Sequence, residues 1–204
     1  SFLQNTVNAD VTRKFDVAAG LNIAYGGEFR IDQYGQRAGE EASYRNYNTA
    51  SGAAAGAQVF AGFTPQYAGK FSRNSVALYT DIELDLSKSF LVTGALRYEN
   101  YSDFGNTLNY KFAGRLNIVK GLTVRAATST GFRAPSMQQR FYAKTNTLFV
   151  STPGGLQPVE SGTFPNNSAP AQILGIPELK QETSTNYSAG ITATPAKGLE
   201  ITLD

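Results

Sequence analysis

Val76-Ala77-Leu78-Tyr79-Thr80-Asp81-Ile82-Glu83-Leu84-Asp85-Leu86 runs into Ser87-Lys88-Ser89 and then into Phe90-Leu91-Val92-Thr93-Gly94-Ala95-Leu96-Arg97-Tyr98. Val76, Leu78, Thr80, Ile82, Leu84 and Leu86 fall on one side of an extended chain, and Ala77, Tyr79, Asp81, Glu83 and Asp85 on the other. Past the break, Phe90, Val92, Gly94, Leu96 and Tyr98 oppose Thr93, Ala95, Arg97 and Glu99. Successive side chains of a strand point to opposite faces, so both segments read as strands with one apolar and one polar face. The break fixes their pairing. For Leu86 and Phe90 to face the same way an odd number of residues must join them, and three do. That parity sets Leu84 opposite Val92, Thr80 opposite Leu96 and Leu78 opposite Tyr98, because a slip of one residue turns an apolar row to the wrong face.

The same pattern extends outward. Leu21, Ile23, Tyr25, Gly27, Phe29 and Ile31 alternate with Asn22, Ala24, Gly26, Glu28, Arg30 and Asp32. Shorter runs follow at Phe112 to Ile118, Leu122 to Ala126 and Tyr187 to Ile191, with a weaker strand from Val7 to Val17 and another from Leu199 to Asp204. Three-residue steps join Val17 to Leu21, Ile118 to Leu122 and Pro195 to Leu199 as well. Roughly eight strands and no amphipathic helix are expected, which makes the chain all-β, an antiparallel up-and-down sheet. Two connections, about 34–74 and about 132–183, are long, whereas the others are short or medium. Loops beyond about 12–15 residues are uncommon in soluble domains. Short turns at one rim and long loops at the other describe part of a transmembrane β-barrel. The first and last strands are then the edges. Arg13 breaks the apolar row of the first strand and is expected to snorkel or to lie over Tyr25. The polar face carries Glu28, Arg30, Asp32, Asp81, Glu83, Asp85, Arg97, Glu99, Lys111, Arg115 and Arg125. The connection between Tyr101 and Tyr110 leaves the next register open. Opposite-charge pairs across strands contribute about 0.2–1 kcal/mol each, which favours Glu99 opposite Arg115 and Asp103 opposite Lys111.

Composition removes whole classes of chemistry. The 204 residues contain no His, no Cys and no Trp. That excludes a histidine general base, a Ser-His-Asp triad, disulfides, thiolate catalysis and His- or Cys-based metal sites within this chain. With 18 basic against 16 acidic residues, the net charge of +2 is too small to argue for a nucleic-acid partner. No run of 18 apolar residues offers a membrane-spanning helix, which leaves barrel strands untouched because they are apolar at alternate positions only. No glycine-rich phosphate loop occurs. Glu40-Glu41 and the pair Glu178 and Glu182 read as solvated loop carboxylates rather than catalytic pairs. No catalytic residue, metal ligand or cofactor is proposed.

Gly131-Phe132-Arg133-Ala134-Pro135-Ser136 closes one strand, since Gly allows a bend and Pro ends ladder pairing. About 45 residues later, Leu179-Lys180-Gln181-Glu182-Thr183-Ser184-Thr185-Asn186-Tyr187 opens the next. Together these resemble the TonB-dependent outer-membrane receptors, in which a strand ending in G-F-R-A-P-S is followed, after a loop, by a segment like L-K-P-E-x-S-x-N-x-E-x-G. Here Gln181 stands in place of the Pro and Ser188 in place of the second Glu, while Glu182, Asn186 and Gly190 match. Gly26-Gly27-Glu28-Phe29-Arg30 is similar to the family's G-x-E-Y/F-R strand.

The resemblance implies a barrel of about 22 strands, plugged by an N-terminal domain, that binds a scarce small ligand and imports it across the outer membrane of a Gram-negative bacterium. Its implied partners are outer-membrane lipid, the plug domain and a TonB-type energy-coupling complex. The chain carries no recognisable plug or TonB-box segment, and its last residues stop in mid-alternation, so it reads as one piece of the barrel domain. The loops carry Tyr44, Arg45, Tyr47, Phe60, Phe63 and Tyr67 in the first and Arg133, Gln138, Gln139, Arg140, Phe141 and Tyr142 in the second. Aromatic and guanidinium groups combine flat apolar surface with planar donors. Tyr44, Arg45, Tyr47, Tyr67, Arg133, Gln138, Arg140 and Tyr142 are the candidate ligand-binding residues. Ala50-Ser51-Gly52-Ala53-Ala54-Ala55-Gly56-Ala57 is of low complexity and is expected to form a mobile loop tip. The rival reading is a soluble or surface-displayed all-β binding module, a sandwich or lectin-like domain. The discriminator is whether the apolar rows face each other or face outward.

Overall fold

The computed structural model describes residues 1–48, 55–57 and 61–204. Phe60 and most of the low-complexity stretch, 50–54, lie outside the described residues. Among the described residues ten strands occur in chain order: β1 (Phe2–Phe15), β2 (Gly20–Gln36), β3 (Gly69–Ser87), β4 (Phe90–Tyr101), β5 (Gly105–Val119), β6 (Leu122–Arg133), β7 (Lys144–Thr152), β8 (Gly155–Thr163), β9 (Glu182–Ala196) and β10 (Leu199–Leu203). Two five-residue helices, α1 (Met137–Phe141) and α2 (Ala169–Ile173), flank the β7–β8 hairpin. Eight strands form one sheet in the order β1-β2-β3-β4-β5-β6-β9-β10, while β7 and β8 pair separately. The fold is therefore all-β and up-and-down, with β1 and β10 at the edges. The chain divides into two compact units. One holds residues 1–4, 32–72 and 135–180, and the other holds residues 5–31, 73–134 and 181–204.

The parity argument is met through a more specific device than a plain three-residue turn. Leu84 pairs with Val92, Thr80 with Leu96 and Leu78 with Tyr98, but Ser87 pairs with Phe90 and the register shifts between Asp85 and Ser87. A two-residue turn plus one bulged residue gives the odd count. The β5–β6 hairpin repeats this, with Asn117 opposite Thr123 and Val119 opposite Leu122. So does β9–β10, with Ile201 opposite Ala193 and Leu199 opposite Ala196. Gly121 and Gly198 sit at φ +84° and +83° in two of these turns. The third turn uses Ser87 instead, whose Oγ accepts from the backbone N–H of Ser89 and Phe90 at 3.2 and 3.1 Å. The β1–β2, β3–β4, β5–β6 and β9–β10 turns leave one rim of the sheet, and the connections 37–68, 102–104 and 134–181 leave the other.

Burial is inverted relative to a soluble sheet. On the apolar rows Leu78 is 62% exposed and Phe112 56%. On the opposite face Glu99 is 5% exposed and Tyr101 4%, with Arg73, Ser75 and Thr107 also buried. No second apolar sheet meets the outward rows among the described residues. A sandwich does the reverse, while a barrel wall in lipid does this.

Several expectations are corrected. Glu99 faces Thr107, and Arg115 faces Leu91, so neither proposed β4–β5 charge pair forms. The turn is only Ser102–Phe104, because Gly105 at φ +101° lets the chain reverse at once and pair Tyr101 with Gly105. The carboxylates find other partners, described below. Arg13 lies over Phe15, at 5.2 Å from the ring centroid, not over Tyr25. β3 starts at Gly69, seven residues before the apolar alternation begins. A strand that continues past the lipid has no reason to keep one face apolar. The second long connection is also not structureless, since it folds its own hairpin and two helical turns.

Candidate functional site

Two constellations stand out, one in each unit. The first is a charge network on the polar face at the long-connection rim. Arg30 Nη2 donates to the Tyr101 hydroxyl at 2.7 Å, and that hydroxyl donates to Glu99 Oε2 at 2.6 Å. Arg97 Nε donates to Glu99 Oε1 at 2.5 Å and lies 3.4 Å from Glu28. Arg73 lies 3.8 Å from Asp103 and 5.5 Å from the Tyr101 ring. Tyr101 stacks on Phe104 at 4.4 Å and meets Phe132 edge-on at 5.9 Å. Period two aligns Arg97, Glu99 and Tyr101 on one face, and the tight β4–β5 turn folds Phe104 back over them. Three guanidiniums and three carboxylates balance, which makes burial of charge tolerable. The network braces β2, β3 and β4.

The motif halves around the second long connection meet in the same unit. Arg133, the last residue of β6, pairs directly with Glu182, the first of β9, and the two form an ion pair. The G-F-R segment and the K-Q-E segment are thus two sides of one closure at the loop base. Just beyond it, the Ser136 Oγ accepts from Gln139 N at 3.1 Å and Gln139 Oε1 accepts from Ser136 N at 2.8 Å, which caps α1 from both directions. Met137 behind that cap is 1% exposed.

The second constellation lies in the unit formed by residues 1–4, 32–72 and 135–180. Phe71 stacks on Phe141 with centroids 4.2 Å apart and on Tyr34 at 6.4 Å. Tyr142 meets Phe63 edge-on at 5.9 Å, and Lys144 Nζ lies 5.7 Å from the same ring. Tyr67 meets Phe164 at 6.3 Å. The Tyr34 hydroxyl donates to Gln36 Oε1 at 3.2 Å, and Gln36 Nε2 donates to the Ala143 carbonyl at 2.6 Å. Burial raises the Tyr34 environment's demand for such partners. A cleft of ≈ 860 Å³ opens beside these groups, lined among others by Tyr34, Gln36, Arg37, Lys70 and Phe71. That volume is within the range of small-molecule sites, about 300–1,000 Å³.

The eight candidate residues are distributed unevenly. Tyr142 and Tyr67 join aromatic contacts, and Arg140 lies over the neighbouring Phe141 ring at 5.8 Å. Tyr44 is half-buried behind a short helical turn, while Gln138 and Tyr47 are exposed. Arg45 is tied to Glu41 and lies 5.4 Å from the Tyr47 ring, and the hydrogen bond to Glu41 raises its guanidinium above the ordinary value. Arg133 is held by Glu182 in the other unit. Tyr34, Arg37, Lys70, Phe71 and Lys144 were not among the candidates. Tyr34, Arg37, Lys70 and Phe71 sit where the strands run past their apolar alternation, and only the unusual concentration of aromatic and basic residues just outside the periodic segments marks them.

The chain matches the family model described as TonB dependent receptor-like, beta-barrel, over residues 2–204. It is 26% identical over 115 residues to the ferric enterobactin receptor PirA of Pseudomonas aeruginosa, an alignment covering 56% of this chain and 14% of that protein. Among solved structures it is similar to the siderophore receptor PirA from Acinetobacter baumannii, with a TM-score of 0.64 and 16% identity, covering 95% of this chain and 25% of that one. It is equally similar to the ferric enterobactin receptor PfeA of Pseudomonas aeruginosa in complex with enterobactin, with a TM-score of 0.66 and 16% identity, covering 98% of this chain and 26% of that one. The chain thus spans about a quarter or less of the length of these relatives. A sheet with lipid-type apolar rows outside, buried charge inside and the paired motif halves at one loop base, matched end to end by the family model, belongs to the β-barrel domain of the TonB-dependent receptors.

Proposed function

We propose that the protein containing this chain captures an anionic ferric siderophore at the cell surface and imports it across the outer membrane of a Gram-negative bacterium. The observation that carries this reading is the cleft of ≈ 860 Å³ whose lining includes both the cations Arg37 and Lys70 and the stacked rings of Tyr34 and Phe71. A metal complex built from aromatic chelating groups presents flat rings and a negative charge, and this pairing of surfaces complements both. Tyr44, Arg45, Tyr47, Tyr67, Gln138, Arg140 and Tyr142 contribute further contacts from the long loops, and Arg133 orders the base of the second. Capture is non-covalent. A plug domain inside the barrel and a TonB-type complex supply gating and energy, and outer-membrane lipid covers the apolar rows. The alternative of a soluble binding module is opposed by the outward exposure of those rows.

The test is iron-restricted growth of a Gram-negative host lacking its own siderophore receptors, complemented with the full-length parent and supplied with ferric catecholate or ferric hydroxamate siderophores. Growth with a catecholate, lost on Arg37→Ala plus Lys70→Ala while surface expression persists, supports the reading. Growth unaffected by every siderophore overturns it.

A further inference from the structure

The rim that carries the short turns repeats one device. Three of its hairpins close on a two-residue turn: Ser87 pairs with Phe90 across Lys88-Ser89, Val119 with Leu122 across Lys120-Gly121, and Ala196 with Leu199 across Lys197-Gly198. Lysine is the first turn residue each time. Backbone geometry does not demand it, since none of the three has a positive φ and that part of an ordinary turn admits most residues. Each lysine also has an apolar residue two positions away on either side: Leu86 and Phe90, Ile118 and Leu122, Pro195 and Leu199. Leu86, Phe90, Ile118 and Leu199 are exposed at the ends of the outward apolar rows.

All three turns lie in one unit and along one rim. In the strand order β3-β4-β5-β6-β9-β10 successive turns stand two strand spacings apart, about 10 Å. Lys88, Lys120 and Lys197 are exposed, and none makes a hydrogen bond or ion pair among the described residues. The carboxylates of this rim are placed elsewhere. Asp16, Glu83 and Asp85 line a depression of ≈ 220 Å³ beside the β1–β2 turn, together with Lys14, and that turn is the one of the four without a lysine. Glu200 alternates with Leu199 and Ile201 and so belongs to the polar face.

We propose that this lysine row binds the phosphodiester headgroups of anionic phospholipid in the leaflet that meets the short-turn rim. Hydrocarbon against the apolar rows sets the headgroups at the row ends, where these cations stand. A lysine stem lies along apolar surface while its ammonium reaches a phosphate. Each cation close to an anionic leaflet adds about fivefold to binding. A zwitterionic headgroup carries no net charge to attract the row, and a dissolved anion gains nothing from the flanking Leu86, Phe90, Ile118 and Leu199. Selectivity for a headgroup is a property beyond the covering of the apolar rows by lipid tails. The inference rests on the outer-membrane reading above, in which the long loops face the exterior and the short turns the periplasm.

The test uses the full-length parent in nanodiscs of phosphatidylcholine, with or without phosphatidylglycerol. An uncharged amine-reactive ester labels the lysines, and peptide mass spectrometry reads the rate at each. Labelling of Lys88, Lys120 and Lys197 is expected to slow about fivefold in the phosphatidylglycerol discs, while Lys144 in the second long connection labels equally in both. Equal rates at the three turn lysines overturn the proposal. Equal slowing by glycerol phosphate dissolved over phosphatidylcholine discs assigns the row to a soluble anion and also overturns it. As a second measurement, the delipidated receptor is titrated with phosphatidylglycerol in native mass spectrometry. The triple variant Lys88→Gln, Lys120→Gln and Lys197→Gln is expected to retain less of the lipid than the parent, and the matching triple Arg variant as much. Undiminished retention by the Gln variant overturns the proposal. Siderophore-dependent growth is scored separately: growth without lipid protection counts against this proposal alone, and lipid protection without growth against the receptor reading alone.

Discussion

At the scale of single residues, glycines and charged side chains in the family-like motifs have identifiable physical work. A Cβ at Gly26 would lie 2.6 Å from the Ala9 carbonyl oxygen and 2.6 Å from the Tyr79 hydroxyl. At Gly27 the nearest atoms are 3.4 and 3.6 Å away. Neither is a matter of backbone freedom; Gly26 is small because the Tyr79 ring crosses over it, and Tyr79 donates to Asp10. Gly26→Val should therefore abolish the folded, heat-modifiable band of the full-length receptor on gels, whereas Gly27→Ala should retain it. Arg133 and Glu182 make the second case. Both side chains are about two-thirds exposed, at 67% and 66%, so their ion pair adds little to stability. A double-mutant cycle of Arg133→Ala and Glu182→Ala, read by denaturant unfolding, should give a coupling of about 0–1 kcal/mol. If Arg133 also meets ligand, Arg133→Ala should weaken siderophore binding and Glu182→Ala should not.

At the scale of elements, three hairpins use the same solution, a two-residue turn and one bulged residue, and this places testable weight on their glycines. Gly121 at φ +84° has the Thr194 carbonyl 3.0 Å from where a Cβ would stand, whereas Gly198 at φ +83° has nothing within 4 Å. A left-handed backbone costs a residue with a Cβ about 1–2 kcal/mol. Gly198→Ala should lose about that much, and Gly121→Ala more, in unfolding measured by gel mobility against urea. The network on β2, β3 and β4 yields the next expectation. Glu99→Leu strands Arg97 and the Tyr101 hydroxyl together. Because the Arg97 side chain is 33% exposed and keeps Glu28, the loss should be about 1–3 kcal/mol, below that of a fully buried pair. Glu99→Gln should recover part of it by retaining an acceptor.

At the scale of the molecule, the inversion of burial governs behaviour. Rows in which Leu78, Leu108 and Phe112 are more than half exposed make a surface for hydrocarbon rather than water. Expressed in a Gram-negative host, the full-length parent should fractionate with the outer membrane and need detergent for extraction; recovery in the soluble periplasm would contradict the barrel. The fold was legible from the sequence to this level because lipid outside and polar contacts inside impose a strict period of two, as in Val76 to Leu86. The cleft was less legible. Tyr34 and Phe71 meet only because β2 and β3 extend together past the alternation, and Lys144 joins Phe63 across 81 positions of sequence. Nothing in the local pattern encodes those meetings.

The sequence by itself determined strand faces, the parity of the short turns and the family motifs, since each is a property of neighbouring residues: alternate side chains diverge, an odd step preserves the face, and a Gly or Pro acts where it stands. Tertiary structure alone decided the β4–β5 register, the partners of Glu99 and Arg115, the hairpin inside the second long connection and the pairing of Arg133 with Glu182. Cross-strand charge pairs worth a fraction of a kcal/mol did not set the β4–β5 register, because closing the tight Ser102–Phe104 turn satisfies a continuous ladder of backbone hydrogen bonds from Tyr101 to Phe90, and that ladder outweighs any one pair of side chains.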